Sequence, residues 1–388
     1  MARPSVRMLV SASQAQAQRL REAGPRRDFW ELAAATAARI EYASDGSGRR
    51  GWSRRLLGPH VRQAWRAASG APSDVVFADG EHVGLPYALA AFARGKRDTR
   101  LVMLGHLVSR PWKLAMIWVA SRVGPRGVLF VHSTVQASQA RRFASGRWQV
   151  ELIPYQVDPD YWTPDDGPQR TRRPLVLAVG AENRDYATLI KAVEGLAVDV
   201  LIAGASHWAR AGHGPVGEAS NVRFLSEALD YGSLRAVYHQ ADVVVVPLLD
   251  VPNQSGVTTI LEAMAVGRPV IVTATEGQRE VVTGPLVTSD GVFDMAATED
   301  RGPQNFSPGA LPEAPTGLYV APGDDTALRS ALRWVLSHPL EAAEMGTRAR
   351  FAVLRHFTIE RFVARLAEAC AERDDPLPRA RPQRVRTS

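Results

Sequence analysis

From residue 74 onward the chain switches repeatedly between two periods. Short runs of β-branched and aliphatic residues at 74–78, 100–104, 127–132 and 149–153 alternate with helical stretches at 85–93, 112–122 and 135–143. Strands separated by helices of about 10–15 residues imply a parallel sheet with helices on both faces. A polar, proline-rich interruption at 163–174 follows, and then the alternation resumes. Strands are expected at 174–179, 198–203, 221–225, 242–247 and 269–273, with helices at 186–194, 231–240 and 256–266. At 388 residues the chain is too long for one small core, so two α/β units, 1–168 and 174–356, are the natural division.

The flanks are less regular. An apolar run at 6–10 opens the first sheet, and the alanine-rich stretch 29–42 reads as a helix. Residues 52–68 read as a basic amphipathic helix, with Leu56, Leu57, Val61 and Trp65 on one stripe and Arg54, Arg55, Arg62 and Arg66 around it. Such a helix either packs its stripe on the sheet or lies on an anionic membrane. The first reading is preferred, because the stripe leads straight into the strand at 74–78. Helices are also expected at 325–336, 340–356 and 358–371, a loop at 303–315, and a disordered basic tail at 373–388.

The formal net charge of +7 is unevenly spread. Residues 1–170 hold 25 Arg/Lys against 14 Asp/Glu, residues 171–375 hold 18 against 26, and the tail adds four arginines. A basic first half either suits an anionic acceptor or a lipid surface or reflects a drift towards arginine (44 Arg against three Lys), and no nucleic-acid-binding module is recognisable. One cysteine, Cys370, excludes an intrachain disulfide and a cysteine-rich zinc site. The most apolar stretch, 114–131, is broken by Arg122 and Arg126, which argues against a membrane span, and residues 1–18 carry no secretory pattern. A cytoplasmic protein, with peripheral contact at the inner face of a membrane, is the expectation.

Chemistry concentrates at 242–273 (DVVVVPLLDVPNQSGVTTILEAMAVGRPVIVT). A buried strand ends at Pro247, an irregular loop follows, and a helix starts near Ser255 and Gly256. In an open α/β sheet, ligands bind where a strand's carboxyl end meets a helix N-terminus. The free amides of Gly256, Val257 and Thr258, with the helix dipole behind them, make a phosphate site. Glu262 lies one to two turns in, where a carboxylate can accept both hydroxyls of a ribose.

The run LEAMAVGRPVIVT resembles the donor-binding signature of glycosyltransferase family 4, a retaining family with the two-domain GT-B fold. Glu262 matches the second glutamate of that signature, whereas its first falls on Gln254, which cannot supply a negative charge. The segment 176–193 (VLAVGAENRDYATLIKAV) is similar to the family's first strand-loop-helix of the second domain, and places Arg184 as the diphosphate clamp. The segment 153–164 (IPYQVDPDYWTP) is similar to the family's inter-domain segment. LVMLGHLVS, 101–109, makes His106 the cleft histidine. The glycine-rich phosphate loop common near the N-terminus is missing from 1–18.

The resemblance implies two Rossmann-like domains facing across a cleft, with residues 357–372 crossing back to the first domain. It implies a metal-independent, retaining transfer from a nucleotide-diphosphate sugar, with no cofactor. Arg184 and the helix start would meet the charge of the leaving diphosphate. Gln254 and Ser255 would contact the donor, and His106 would position its sugar. The acceptor, a sugar, a lipid-linked group or another small molecule, would sit on the basic first domain, where Asp79, Glu81 and His82 leave a strand end. Rival readings are a catalytically silent nucleotide-sugar-binding subunit, for which Gln254 argues, and an epimerase or phosphorylase on the same architecture.

Overall fold

The structure, a computed structural model, describes residues 3–21, 24–43, 58–165, 173–204, 221–225, 227–294 and 314–372. The first sheet comprises β1 (Val6–Ser13), β2 (Arg39–Ala43), β3 (Val75–Ala78), β4 (Arg100–Gly105), β5 (Gly127–Val131) and β6 (Trp148–Leu152). All six are parallel, in the order β2-β1-β3-β4-β5-β6. Helices α1 (Gln14–Arg21), α2 (Asp28–Thr36), α3 (Pro59–Ser69), α4 (Glu81–Ala93), α5 (Pro111–Val123) and α6 (Thr134–Phe143) cover it.

Successive strand side chains point to opposite faces, so one sheet feeds two cores. Leu9, Val76, Leu101 and Leu129 meet α3, α4, α5 and α6 on one face. Met8, Phe77, Val102 and Phe130 meet α2 and the last helix of the chain on the other.

The second sheet comprises β7 (Leu175–Val179), β8 (Asp199–Ala203), β9 (Val222–Leu225), β10 (Val243–Val246), β11 (Val270–Thr273), β12 (Leu286–Val287), β13 (Phe293–Asp294) and β14 (Leu318–Val320). Its order is β13-β12-β14-β11-β10-β7-β8-β9, with β12 and β13 the antiparallel pair at one edge. Helices α7 (Tyr186–Val193), α8 (Tyr231–Gln240), α9 (Val257–Ala265), α10 (Asp325–Ser337) and α11 (Pro339–His356) flank it. The final helix, α12 (Ile359–Ala371), returns to the first sheet and buries Ile359, Phe362 and Leu366 in the core shared with β1 and β5.

The chain thus crosses between the sheets twice, and the crossings are tied together. Val157 N donates to Phe357 O at 2.9 Å, and Ile359 N donates to Val157 O at 3.1 Å. Arg26, just before α2, forms ion pairs with Asp158 at 2.7 Å on one crossing and with Glu360 at 2.6 Å on the other. Its guanidinium pKa is raised, chiefly by the hydrogen bond to Asp158, although burial opposes the rise.

Two expectations are corrected. The stretch 29–42 is not one helix, because α2 stops at Thr36 and Ala37 turns left-handed at φ 52°. Ile40 and Tyr42 then belong to β2, where backbone pairing with β1 outweighs the helix propensity of the preceding alanines. The helix expected at 52–68 is described from Pro59, a proline at its first turn; residues 51–57, including Leu56 and Leu57, lie outside the described residues. The described part of its stripe does not face the sheet. Gln63, Ala64, Ala67 and Ala68 do, while Val61 and Trp65 are 37% and 49% exposed. Part of the 163–174 interruption, most of the 303–315 loop and the 373–388 tail also lie outside the described residues. No helix among the described residues is long and apolar enough to cross a membrane.

Candidate active site

Past Val246 the chain runs through Pro247 and an irregular loop before α9 begins. Gly256 precedes that helix in the left-handed region, φ 79°, and no side chain caps it. A Cβ there would lie 2.7 Å from Val246 Cγ1 and 3.3 Å from Arg184 Nη1, so glycine serves both the backbone and the close approach of the arginine. First-turn amides of a helix have no intrahelical acceptor, and the dipole makes that end positive.

Arg184 is set beside this helix start by three bonds. Nε donates to Val179 O at 2.9 Å, Nη1 to Glu182 O at 2.8 Å and Nη2 to Thr259 Oγ1 at 3.3 Å. Gly180, at φ 104°, leaves the room: a Cβ would come within 2.4 Å of Nη2. Burial lowers the guanidinium pKa from its usual value.

Glu262, 6% exposed, faces the same space from inside α9. Tyr238 on α8 donates its hydroxyl to Glu262 Oε2 at 2.9 Å. Burial pushes the Glu262 carboxyl up to about 7, against the pull of the Tyr238 hydrogen bond and the Arg27 charge. Ser255 Oγ accepts from Asn183 at 2.8 Å and from Asn253 at 2.7 Å, which locks the loop ahead of the helix. Gln254 Nε2 approaches Glu280 Oε2 at 3.4 Å, and its buried Oε1 has no partner among the described residues. Glu280 in turn spans the cleft, with Oε1 accepting from Thr134 N at 2.7 Å and Oγ1 at 2.8 Å at the start of α6.

The opposite wall comes from the first sheet. His106 follows β4 and is held on three sides. Its N donates to Glu81 Oε2 at 2.9 Å, its O accepts from Gln136 at 2.9 Å, and its Nε2 lies 2.9 Å from Asp79 O. A carbonyl only accepts, so Nε2 carries a proton and donates it to Asp79 O. His132, after β5, stacks on His106 at 5.3 Å; burial and the neighbouring His106 hold it down at about 3, hence neutral.

These walls enclose a cavity of about 540 Å³, within the usual size of a small-molecule site. Arg184, Glu262, His106 and all five residues of 254–258 line it, so the structure gathers the expected donor-side residues around one space. Asp79, Glu81 and His82 do not line it. Asp79 accepts from Ser11 N at 2.7 Å and Oγ at 2.8 Å, and burial raises its carboxyl to about 6. Glu81 is buried and paired with Lys113. Burial opposes its ionisation, but the charges of His106 and Lys113 and their hydrogen bonds hold it near 2. The Glu81 carboxylate and the Asp79 backbone carbonyl therefore back the His106 loop. His82 packs edge-on to His60 at 4.7 Å, and burial lowers it to about 4.

Among the lining residues not expected from the sequence are Arg27, His132 and Tyr155. Arg27 precedes α2, lies over the Tyr231 ring at 4.9 Å and donates to its hydroxyl. Its buried Nε has no partner among the described residues. The strand-end argument that found His106 applies equally to His132, whereas nothing in the local pattern around residue 27 signals the cleft. Among the described residues no group of three or more His, Cys, Asp or Glu side chains is arranged to hold a metal ion.

Comparison with known proteins agrees with this layout. Residues 173–301, which span most of the second sheet, match the family model described as Glycosyl transferases group 1. No curated protein sequence matches the chain. Among solved structures it is similar to sucrose-phosphate synthase from Thermosynechococcus elongatus, with TM-score 0.65, 17% identity, and 94% of this chain and 98% of that one covered. It is also similar to HepE of Anabaena in complex with UDP and glucose, with TM-score 0.62, 14% identity, and 94% and 98% covered. A trehalose-phosphate synthase from Burkholderia xenovorans in complex with glucose-6-phosphate gives TM-score 0.58, 13% identity, and 95% and 100% covered. At these identities the likeness is one of fold: two parallel-sheet, Rossmann-like domains in the GT-B arrangement.

Proposed function

We propose that the chain is a retaining, metal-independent glycosyltransferase of family 4 type, moving a sugar from a nucleoside-diphosphate sugar to an acceptor held by the first domain. The observation that carries this reading is the convergence of the uncapped α9 start, Arg184 and Glu262 on one cavity, within the segment matching group 1 glycosyl transferases. UDP and glucose in HepE, and glucose-6-phosphate in the trehalose-phosphate synthase, favour a UDP-sugar donor and a sugar-like acceptor.

The transfer breaks the bond from the sugar's anomeric carbon to the diphosphate oxygen and forms one to an acceptor oxygen on the same face. The departing phosphate takes the acceptor's proton. Charge grows on phosphate oxygens as the bond breaks, and pre-aimed donors in a water-poor site stabilise it most. Arg184 supplies two N–H groups on a planar fork and α9 its first-turn amides. Glu262 as a carboxylate accepts the ribose hydroxyls. His106, on the opposite wall of the cavity, positions a hydroxyl of the donor sugar. Closure of the domains on the donor keeps water from competing with the acceptor.

The acceptor side is basic, and an anionic membrane is the surface from which a lipid-linked acceptor would be presented. A silent nucleotide-sugar-binding subunit remains the second reading, favoured by Gln254, whose amide turns towards Glu280 instead of supplying a charge. The test is a thermal-shift screen of nucleoside-diphosphate sugars, followed by assay of free nucleotide release with sugar and sugar-phosphate acceptors. A donor that raises the melting temperature and is consumed only with acceptor supports transfer. Binding without release under every acceptor supports the silent subunit, and no binding at all overturns both.

A further inference from the structure

The outward face of the first domain bears a feature that the active site does not use. Helices α3, α4, α5 and α6 pack side by side on one face of the first sheet. They expose Trp65, Phe92, Trp118 and Phe143, an aromatic residue on each helix, together with Val61 and Val119, and α5 exposes Trp112 as well at its first turn. Three of the first four rings carry an arginine. Arg94 lies over Trp65 at 5.6 Å, Arg97 over Phe92 at 4.7 Å and Arg122 over Trp118 at 4.4 Å. Arg122 also donates to Phe143 O at 3.1 Å, which joins the last two helices.

The charge around these rings is mostly positive, although Asp98, next to Arg97 in the chain, is an exposed acid. Residues 58–147 contain thirteen Arg/Lys and four Asp/Glu, and of those acids Glu81 is buried against Lys113 while Asp79 is tied to Ser11. Rings topped by guanidinium groups occur at protein–protein interfaces too, and the excess of positive charge is what selects an anionic surface here. Such rings suit a lipid headgroup layer well. There an aromatic ring sits at the apolar boundary, and a neighbouring arginine reaches phosphate while its stem lies along the ring.

We propose that this four-helix face docks the protein on an anionic bilayer, with Trp65, Phe92, Trp118 and Phe143 as the inserted residues. The proposal rests on the reading of a membrane-presented acceptor and gives it a surface.

The experiment is co-sedimentation of the full chain at 0.15 M salt with vesicles of phosphatidylcholine alone or of equal phosphatidylcholine and phosphatidylglycerol. The expected result is at least fivefold more protein bound to the anionic vesicles, and at least a tenfold loss of that binding in a Trp65→Ser, Trp118→Ser, Phe143→Ser variant. An Arg94→Glu, Arg97→Glu variant, altered only at exposed side chains, should show the same loss and covers the case in which the aromatic variant fails to fold. A UDP-induced thermal shift, read on every variant, reports the donor site separately, so failure of that site and failure of the docking face are told apart. No preference for anionic vesicles, or undiminished binding in the charge-reversed variant, overturns the proposal and assigns any binding to the basic tail. Retention on an RNA duplex but not on vesicles overturns it in favour of nucleic acid.

Discussion

The Tyr238 hydroxyl donates to Glu262 Oε2 at 2.9 Å beneath the donor cavity, and no cation among the described residues is hydrogen-bonded to that carboxylate. A buried carboxyl with one neutral donor holds its proton longer than one in water. Glu262 therefore changes charge near neutral pH, at about 7, where the ligand that it would serve must bind.

UDP affinity, measured by calorimetry, should strengthen as pH rises through 7 and level off above about 8. Only the ionised form offers acceptors to both ribose hydroxyls. Glu262→Gln should bind more weakly with a flatter profile, and because the ligand's own titration is common to both proteins it cancels in the comparison. A variant curve parallel to wild type would remove Glu262 from the ribose.

Folding stability provides an independent reading of the same group. Its folded pKa of about 7 lies above the ordinary 4.5, so the native state holds an extra proton between those values. The stability that this confers is lost as pH rises through that window, by at most roughly 3 kcal/mol. Denaturant titrations should show Glu262→Gln gaining on wild type from pH 4.5 to 7. His132, held down at about 3, costs both proteins stability alike as pH falls below 6.5, and drops out of the difference.

Gly180→Ala would put a methyl 2.4 Å from Arg184 Nη2 on a backbone at φ 104°. The guanidinium must move, so UDP affinity should fall about tenfold, or ~1.4 kcal/mol, with a melting temperature a few degrees lower. Arg184→Lys should weaken UDP similarly without the thermal cost, as the planar fork is lost. Full affinity in both would mean that the diphosphate docks elsewhere.

His106→Ala should lower turnover at least tenfold while leaving the UDP dissociation constant within a factor of two, since the ring is placed for the sugar and not the nucleotide. Turnover equal to wild type would instead point to His132 or Tyr155 across the same cavity.

Glu280→Ala removes the carboxylate that accepts from Thr134 across the cleft. Loss of such a cap costs about 1 kcal/mol, and the two domains lose a tie. Small-angle scattering should report a larger radius of gyration and calorimetry a lower melting temperature; unchanged values would show the contact to be passive.

The donor half of the site was legible in the sequence because its parts are local. Residues 254–262 form one strand-loop-helix unit, and Arg184 sits in the equivalent loop of a neighbouring strand. The first-domain wall was legible only where a strand end pointed to it, as at His106. Arg27 reaches the cavity because Arg26 is pinned to Asp158 and Glu360, residues far away in the chain, and no local period encodes that. Misreading of α3 has a similar origin. Close packing of α3 on α4 needs small residues, so alanines took the inner face and the larger side chains, although apolar, were turned outward.

The return of α12 also has a consequence for the order of folding. Phe362 and Leu366 complete a core whose other members, Met8 and Phe130 among them, leave the ribosome long before them. Domains made first commonly fold first. Here the earlier half keeps one oily flank open until nearly everything downstream has been translated, while the later sheet has its own helices at hand, so the half made second is positioned to consolidate first.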